Sequence, residues 1–177
     1  EATQTFVHYK NIRGDSTSLS DNTILSIYQD RFGVLWVGTF GGLNRMNKGG
    51  KFRNFKQNPN DPASISNSYV FSFCEDADNN FWIGTGSGLN IFDRNSETFF
   101  HFTEKNGLPN GVIAGIEPGN DGNIWISTYK GVSRFNLKNK EFANFSADDG
   151  LLSNMFNTGS YSKNSTGEIL FGSINGI

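Results

Sequence analysis

Apolar positions in this chain come in short bursts separated by turn-forming pairs such as Asn-Gly, Asp-Gly and Gly-Gly. The bursts are aromatic or β-branched, as in Thr23-Ile24-Leu25-Ser26-Ile27, Tyr69-Val70-Phe71-Ser72-Phe73 and Val112-Ile113-Ala114-Gly115-Ile116. Such segments predict strands joined by tight turns. In Val34-Leu35-Trp36-Val37 and Asn123-Ile124-Trp125-Ile126 apolar side chains continue onto both faces instead of alternating. A strand of that kind is expected to be covered on both sides.

The pattern repeats. Asp30-Arg31-Phe32-Gly33-Val34-Leu35-Trp36-Val37-Gly38-Thr39 returns as Asn79-Asn80-Phe81-Trp82-Ile83-Gly84-Thr85 and as Asp121-Gly122-Asn123-Ile124-Trp125-Ile126-Ser127-Thr128. A fourth copy, Thr166-Gly167-Glu168-Ile169-Leu170-Phe171-Gly172-Ser173, carries Leu170 in place of the tryptophan. Successive anchors lie 46, 43 and 45 residues apart, and a glycine follows each by six positions: Gly42, Gly88, Gly131 and Gly176. A Phe-x-x-Phe element recurs at Phe52–Phe55, Phe99–Phe102 and Phe142–Phe145, and Phe6-Val7-His8-Tyr9 is the same element one period earlier. Ten residues before each anchor stands a small residue: Ser26, Ser72, Gly115 and Ser160.

A period near forty-five residues accommodates four strands, the size of a propeller blade. The expected fold class is therefore all-β, with about four four-stranded antiparallel blades. The expected boundaries are 1–10 for an outer strand of a preceding blade, 19–55, 65–102 and 108–145 for full blades, and 151–177 for an incomplete last one. The serine and glycine slot suits the innermost strand, the tryptophan strand the middle, and Phe-x-x-Phe the outer edge. Each tryptophan would bury about 200 Å², worth roughly 5 kcal/mol at most, between adjacent blades. The glycines six residues after each anchor are expected to adopt backbone conformations closed to other residues. The N-terminal outer strand could complete the last blade. Alternatively, two chains could pair as a homodimer into an eight-bladed ring, since an open arc exposes unpaired edges and aromatic faces.

Composition narrows the function classes. Aromatics reach 14%, with 17 Phe, which argues against disorder although hydrophobic residues total only 36%. Fifteen basic against 17 acidic residues leave a net charge of −2, so no basic surplus exists for nucleic acid. No apolar run approaches the length of a membrane span, and the opening Glu1-Ala2-Thr3-Gln4 lacks a signal segment, so an excised fragment or mature region is expected. The single cysteine, Cys74, precludes an internal disulfide.

Catalytic and metal chemistry is not expected. His8 and His101 share one slot of the outer strand two periods apart, so they cannot act on one metal or proton. Asp76-Ala77-Asp78-Asn79-Asn80 is similar to the start of a calcium loop, but Phe81 stands where the turn glycine belongs and Ser87 where the bidentate Glu belongs. A plain turn is the favoured reading, similar to the structural aspartate box of sialidase propellers. Gly84-Thr85-Gly86-Ser87-Gly88 does not match a nucleophile elbow. No cofactor is expected.

The pattern Leu108-Pro109-Asn110 … Asp121-Gly122-Asn123-Ile124-Trp125-Ile126-Ser127-Thr128 … Gly131-Val132-Ser133-Arg134-Phe135 resembles the two-component regulator propeller repeat. In that family such repeats build the periplasmic sensor region of hybrid two-component histidine kinases of glycan-degrading gut bacteria. Gly150–Asn157 followed by Leu170–Ile177 is similar to the family's terminal blade, after which the receptor usually continues into an immunoglobulin-like domain, a membrane helix and a kinase. The resemblance implies a periplasmic, non-catalytic, ligand-sensing segment with an oligosaccharide or other small ligand. Within the rigid repeat, the turn after the tryptophan strand is free to vary: Phe40-Gly41, Gly86-Ser87, Tyr129-Lys130 and Ile174-Asn175. These turns are expected to ring one mouth of a central channel. Phe40 and Tyr129 could stack on sugar faces, while Ser87, Lys130 and Asn175 could hydrogen-bond hydroxyl or acidic groups. The polar connection Lys56–Ser64 is a further contact candidate. A protein–protein interaction or dimerisation scaffold is the alternative reading, and a propeller lyase or glycosidase a third, which would require convergent acid and base groups at the channel mouth.

Overall fold

A computed structural model describes residues 5–177. Its strands form three four-stranded antiparallel sheets and one two-stranded sheet. The first contains β1 (Ile24–Gln29), β2 (Leu35–Thr39), β3 (Gly42–Met46) and β4 (Phe52–Phe55) in sequential order. The second contains β5 (Val70–Glu75), β6 (Phe81–Thr85), β7 (Gly88–Asp93) and β8 (Thr98–Phe102). The third contains β9 (Ile113–Pro118), β10 (Asn123–Thr128), β11 (Gly131–Asn136) and β12 (Phe142–Phe145). β13 (Phe156–Lys163) and β14 (Ile169–Ser173) make the last. The fold is all-β and built of propeller blades.

The inner strands β1, β5, β9 and β13 converge, and small residues allow it. Ser26 pairs with Gly38, Ser72 with Gly84 and Gly115 with Ser127, so each inner pair holds one serine and one glycine. A Cβ on Gly84 would lie 2.6 Å from Ile113 of the next sheet, and one on Gly115 would lie 2.5 Å from the Tyr161 ring. Larger residues here would push the blades apart.

The glycine after each anchor turns the chain back. Gly42, Gly88, Gly131 and Gly176 have φ of 139°, 141°, 96° and 126°, a region that L side chains disfavour. At Gly42 a Cβ would also stand 2.5 Å from the Phe55 carbonyl oxygen.

Aromatic rings join the blades. Trp36 and Trp82 are fully buried. Trp36 meets Phe81 at 4.8 Å and Phe92 at 5.3 Å in the second sheet, and Trp82 meets Phe135 of the third at 5.6 Å. Within their own sheets, Trp36, Trp82 and Trp125 stack on Phe55, Phe102 and Phe145 at 6.3, 6.2 and 5.8 Å. Trp125 is only partly buried.

The outer strand expected over residues 1–10 is not formed where it can be seen. Residues 5–12 carry no strand, and residues 1–4 lie outside the described residues. An outer strand needs a third strand beside it, and no sheet of the described chain offers one to this segment. Nor does the segment reach the two-stranded sheet to complete it: Tyr9 instead packs on Phe52 of the first. Phe6 and Val7 remain 85% and 73% exposed.

Candidate functional site

The turns that follow the second strand of each sheet are constructed alike. Thr39 Oγ1 accepts the Gly41 N–H at 3.0 Å and donates to the Gly42 carbonyl at 2.9 Å. Thr85 does the same with Ser87 and Gly88, Thr128 with Lys130 and Gly131, and Ser173 with Asn175 and Gly176. The buried hydroxyl thus fixes each turn from beneath and leaves the side chains above it, one in the first two turns and two in the others, without a bracing role. Phe40 and Tyr129 are 44% and 40% exposed, and Ser87, Lys130 and Asn175 are exposed as well.

These five residues sit one or two to a sheet, and among the described residues no hydrogen bond joins them. Phe40 alone gains an aromatic neighbour: Tyr69, at the entrance to β5 of the next sheet, lies 5.0 Å away at 64° and is 50% exposed. The sequence reading omitted Tyr69, because its place beside Phe40 depends on how the blades are juxtaposed. Ser87 borders a polar cleft of about 680 Å³ with His101, Thr103, Asn106 and Asn110. A smaller cleft of about 250 Å³, also touching Ser87, His101 and Thr103, extends toward the connection containing Asn58 and Pro59. His101 Nδ1 is buried there without a partner, whereas the corresponding Asn54 and Asn144 donate to the Ser18 and Gly107 carbonyls at 2.8 and 2.9 Å.

The asparagines at strand entrances serve the backbone. Asp21, Asn67 and Asn110 each accept the N–H two residues on, at 2.6, 2.8 and 3.0 Å. In the fourth sheet this task falls to Ser153 rather than to Asn154, which accepts the Ala147 N–H instead.

The loop beginning at Asp76 is a structural turn. Asp76 Oδ1 accepts the Asp78 and Asn80 N–H groups, and Oδ2 accepts the Trp82 indole N–H at 2.8 Å. Asp30 binds Phe32, Val34 and the Trp36 indole in the same way. In the third sheet Gly119 occupies the aspartate position, so Trp125 has no such carboxylate. Across the first junction, Arg94 bridges Asp30 and Glu75 at 3.1 and 2.7 Å.

Ionisable groups on the inner strands are shifted by burial. Burial pushes the Cys74 thiol well up, aided by the charges of Glu117, Asp76 and Glu75. Burial also raises Glu117, with Lys163 opposing, and carries the Tyr28 and Tyr161 phenols up to about 12. Among the described residues no group of three His, Cys, Asp or Glu side chains could hold a metal ion.

The family model described as "Two component regulator propeller" matches residues 18–41, 64–87 and 107–130. Each match runs from a blade connection through the tryptophan strand into the turn that follows. The chain carries two-component regulator propeller repeats. Among solved structures, one described as the extracellular domain of a hybrid two-component system, BT3049 of B. thetaiotaomicron, is 31% identical over 99% of this chain with a TM-score of 0.85. An extracellular domain of BT4673 from the same organism is 25% identical over 90% of this chain, with a TM-score of 0.75. The chain spans 23% of the length of each. Virginiamycin B lyase from Staphylococcus aureus is 14% identical over 86% of this chain and 49% of its own, TM-score 0.66, and shows the fold alone. Curated proteins gave no match. No helix among the described residues is long and apolar enough to cross a membrane.

Proposed function

We propose that these propeller repeats form part of the periplasmic sensor region of a hybrid two-component histidine kinase receptor, bind a saccharide or similar small polar ligand, and do no chemistry themselves. The extracellular receptor domain that is 31% identical across 99% of this chain supports the receptor assignment. The observation that carries ligand binding is the set of four identically braced turns whose upper side chains are released to solvent, with Phe40 and Tyr69 paired as an aromatic platform. Phe40, Tyr69 and Tyr129 would stack on sugar faces, and Ser87, Lys130 and Asn175 would bond hydroxyl or carboxylate groups. Signalling then needs a ligand that binds one receptor state more tightly than the other.

A glycan array probed with the purified chain tests this reading. Saturable binding to a saccharide, weakened by Phe40→Ala and by Tyr129→Ala, is the expected result. Binding to no saccharide, or binding indifferent to both substitutions, contradicts it. Turnover of any glycan would contradict the non-catalytic part. A second reading, an interaction scaffold, draws on the exposed apolar segment at Phe6 and Val7. Binding only to another protein, with no saccharide binding, would favour it.

A further inference from the structure

We propose that the polar cleft on the second blade, between the connections 56–69 and 103–112, binds the carboxylate of an acidic saccharide, a uronate. This site rests on the saccharide reading above and confines it to one blade and one class of ligand. The cleft lies wholly inside the chain: a four-stranded sheet stands on either side of the second, and the connections from one and to the other form its walls. Its larger lobe, of about 680 Å³, runs along residues 103–112, and its smaller lobe, of about 250 Å³, along residues 57–66. Ser87, His101 and Thr103 border both.

The other repeats show why the cleft is open. In the first and third sheets an asparagine of the outer strand ties down the incoming connection: Asn54 donates to the Ser18 carbonyl at 2.8 Å and Asn144 to the Gly107 carbonyl at 2.9 Å. Ser18, Ser64 and Gly107 each precede a buried aliphatic residue, Leu19, Ile65 and Leu108, so Ser64 is the counterpart in the second sheet. His101 occupies the asparagine slot there: it pairs with Asn90 as Asn54 pairs with Asn44 and Asn144 with Ser133. Among the described residues it makes no bond to Ser64, which borders the smaller lobe, and its Nδ1 is buried without a partner. Nε2 is therefore the nitrogen that a ligand can reach.

The groups around His101 present hydrogen-bond donors. Asn110 Oδ1 accepts the Val112 N–H at 3.0 Å, and Asn106 Oδ1 accepts the Thr103 N–H and hydroxyl at 2.9 and 3.2 Å, so each amide has only its NH2 group left for a ligand. Glu104, the one acidic residue lining the larger lobe, gives Oε1 to the Gly111 N–H at 3.1 Å. Lys105 and Ser87 stand exposed on the same lobe. A turn of the same construction, Ser146–Gly150, follows the third sheet, with Asp148 and Asp149 where Lys105 and Asn106 stand here. Asp149 accepts the Ser146 N–H and hydroxyl at 2.9 and 3.1 Å, as Asn106 does those of Thr103. The backbone of this turn thus requires neither the lysine nor the amide. An ammonium with amide, hydroxyl and imidazole donors around one cleft matches a carboxylate, whose two oxygens only accept. Asp61, in the smaller lobe, would take sugar hydroxyls.

The probes are disaccharides containing galacturonate, glucuronate or mannuronate, each beside its methyl ester, titrated into the whole chain and followed by calorimetry and proton NMR. The sequence holds two histidines, so the His101 Cε1 proton is the resonance missing from His101→Asn. The expected result is saturable binding of at least one uronate, at least about tenfold tighter than its ester, with the His101 resonance shifted and that of His8 unmoved. Lys105→Asp and His101→Asn install residues that the sister repeats carry at these places. Both should therefore leave the circular dichroism unchanged, and each should weaken uronate binding at least about tenfold. Equal binding of acid and ester, or uronate binding indifferent to either substitution, would overturn the proposal and leave the saccharide reading standing. Binding of neutral glycans alone would do the same, whereas absence of any saccharide binding would remove both.

Discussion

Tyr9 meets the edge of Phe52 with ring centroids 5.6 Å apart, reproducing across the front of the first sheet the contact that Phe55 makes with Phe99 and Phe102 makes with Phe142, each at 5.7 Å. All three are edge-on, at interplanar angles of 87°, 75° and 76°. Tyr9 thus stands where an outer-strand aromatic of a preceding blade would stand, although residues 5–12 form no strand. Packing register is retained without strand pairing.

Tyr9→Ala should accordingly lower stability by about 0.5–1.5 kcal/mol, the worth of one aromatic pair. Tyr9→Phe should cost almost nothing. Urea unfolding of the three proteins in parallel checks the difference.

The tryptophans should not be equivalent. Trp36→Ala and Trp82→Ala remove fully buried wedges and should each cost about 3–5 kcal/mol. Trp125→Ala, at the partly open junction, should cost no more than about 2 kcal/mol. Equal losses at all three sites would contradict the packing described.

Asp76→Ala would leave the buried Trp82 indole N–H without an acceptor, for about 1–3 kcal/mol, and would free the Asp78 and Asn80 N–H groups besides. Asp76→Asn retains one oxygen and should lose less. Thermal unfolding of the two variants separates them.

Alkaline pH should destabilise the fold through Tyr28 and Tyr161. Both phenols titrate near 10.0 when unfolded and near 12 when folded, because burial disfavours the phenolate. Between those values the unfolded chain releases protons that the folded one keeps, so the contribution of these two phenols is full below pH 10 and is lost as pH rises toward 12. Tyr161→Phe should flatten that fall. Unfolding midpoints measured across this range, beside tyrosinate absorbance, provide the check.

Much of the architecture was legible because tandem duplication writes each strand several times. The glycine six residues after each anchor, the small residue ten before it and the Phe-x-x-Phe elements at Phe52, Phe99 and Phe142 mark observed strands or turns, whereas the copy at Phe6–Tyr9 forms no strand. Relationships that cross from one blade to the next were not legible. Tyr69 beside Phe40 depends on the angle between two sheets, and Arg94 on Asp30 joins residues from different repeats. The bond from Asp30 and Asp76 to the indole six residues on lies within one repeat, yet it is obscured by Gly119 in the third copy. At the strand entrances the fourth sheet uses Ser153 as the acceptor where the first three use Asp21, Asn67 and Asn110, a change of residue type that hides the equivalence. The exposed turn residues were identified as variable, but variability in a repeat says where a ligand could be met and nothing of its chemistry.

Acrylamide quenching of tryptophan fluorescence tests the central claim most directly, namely that blades are joined by aromatic wedges sealed at the first two junctions and open at the third. The account predicts one accessible and two protected populations among the three tryptophans, with the accessible one removed by Trp125→Phe. Uniform quenching of all three, or an accessible population that survives Trp125→Phe, would contradict it.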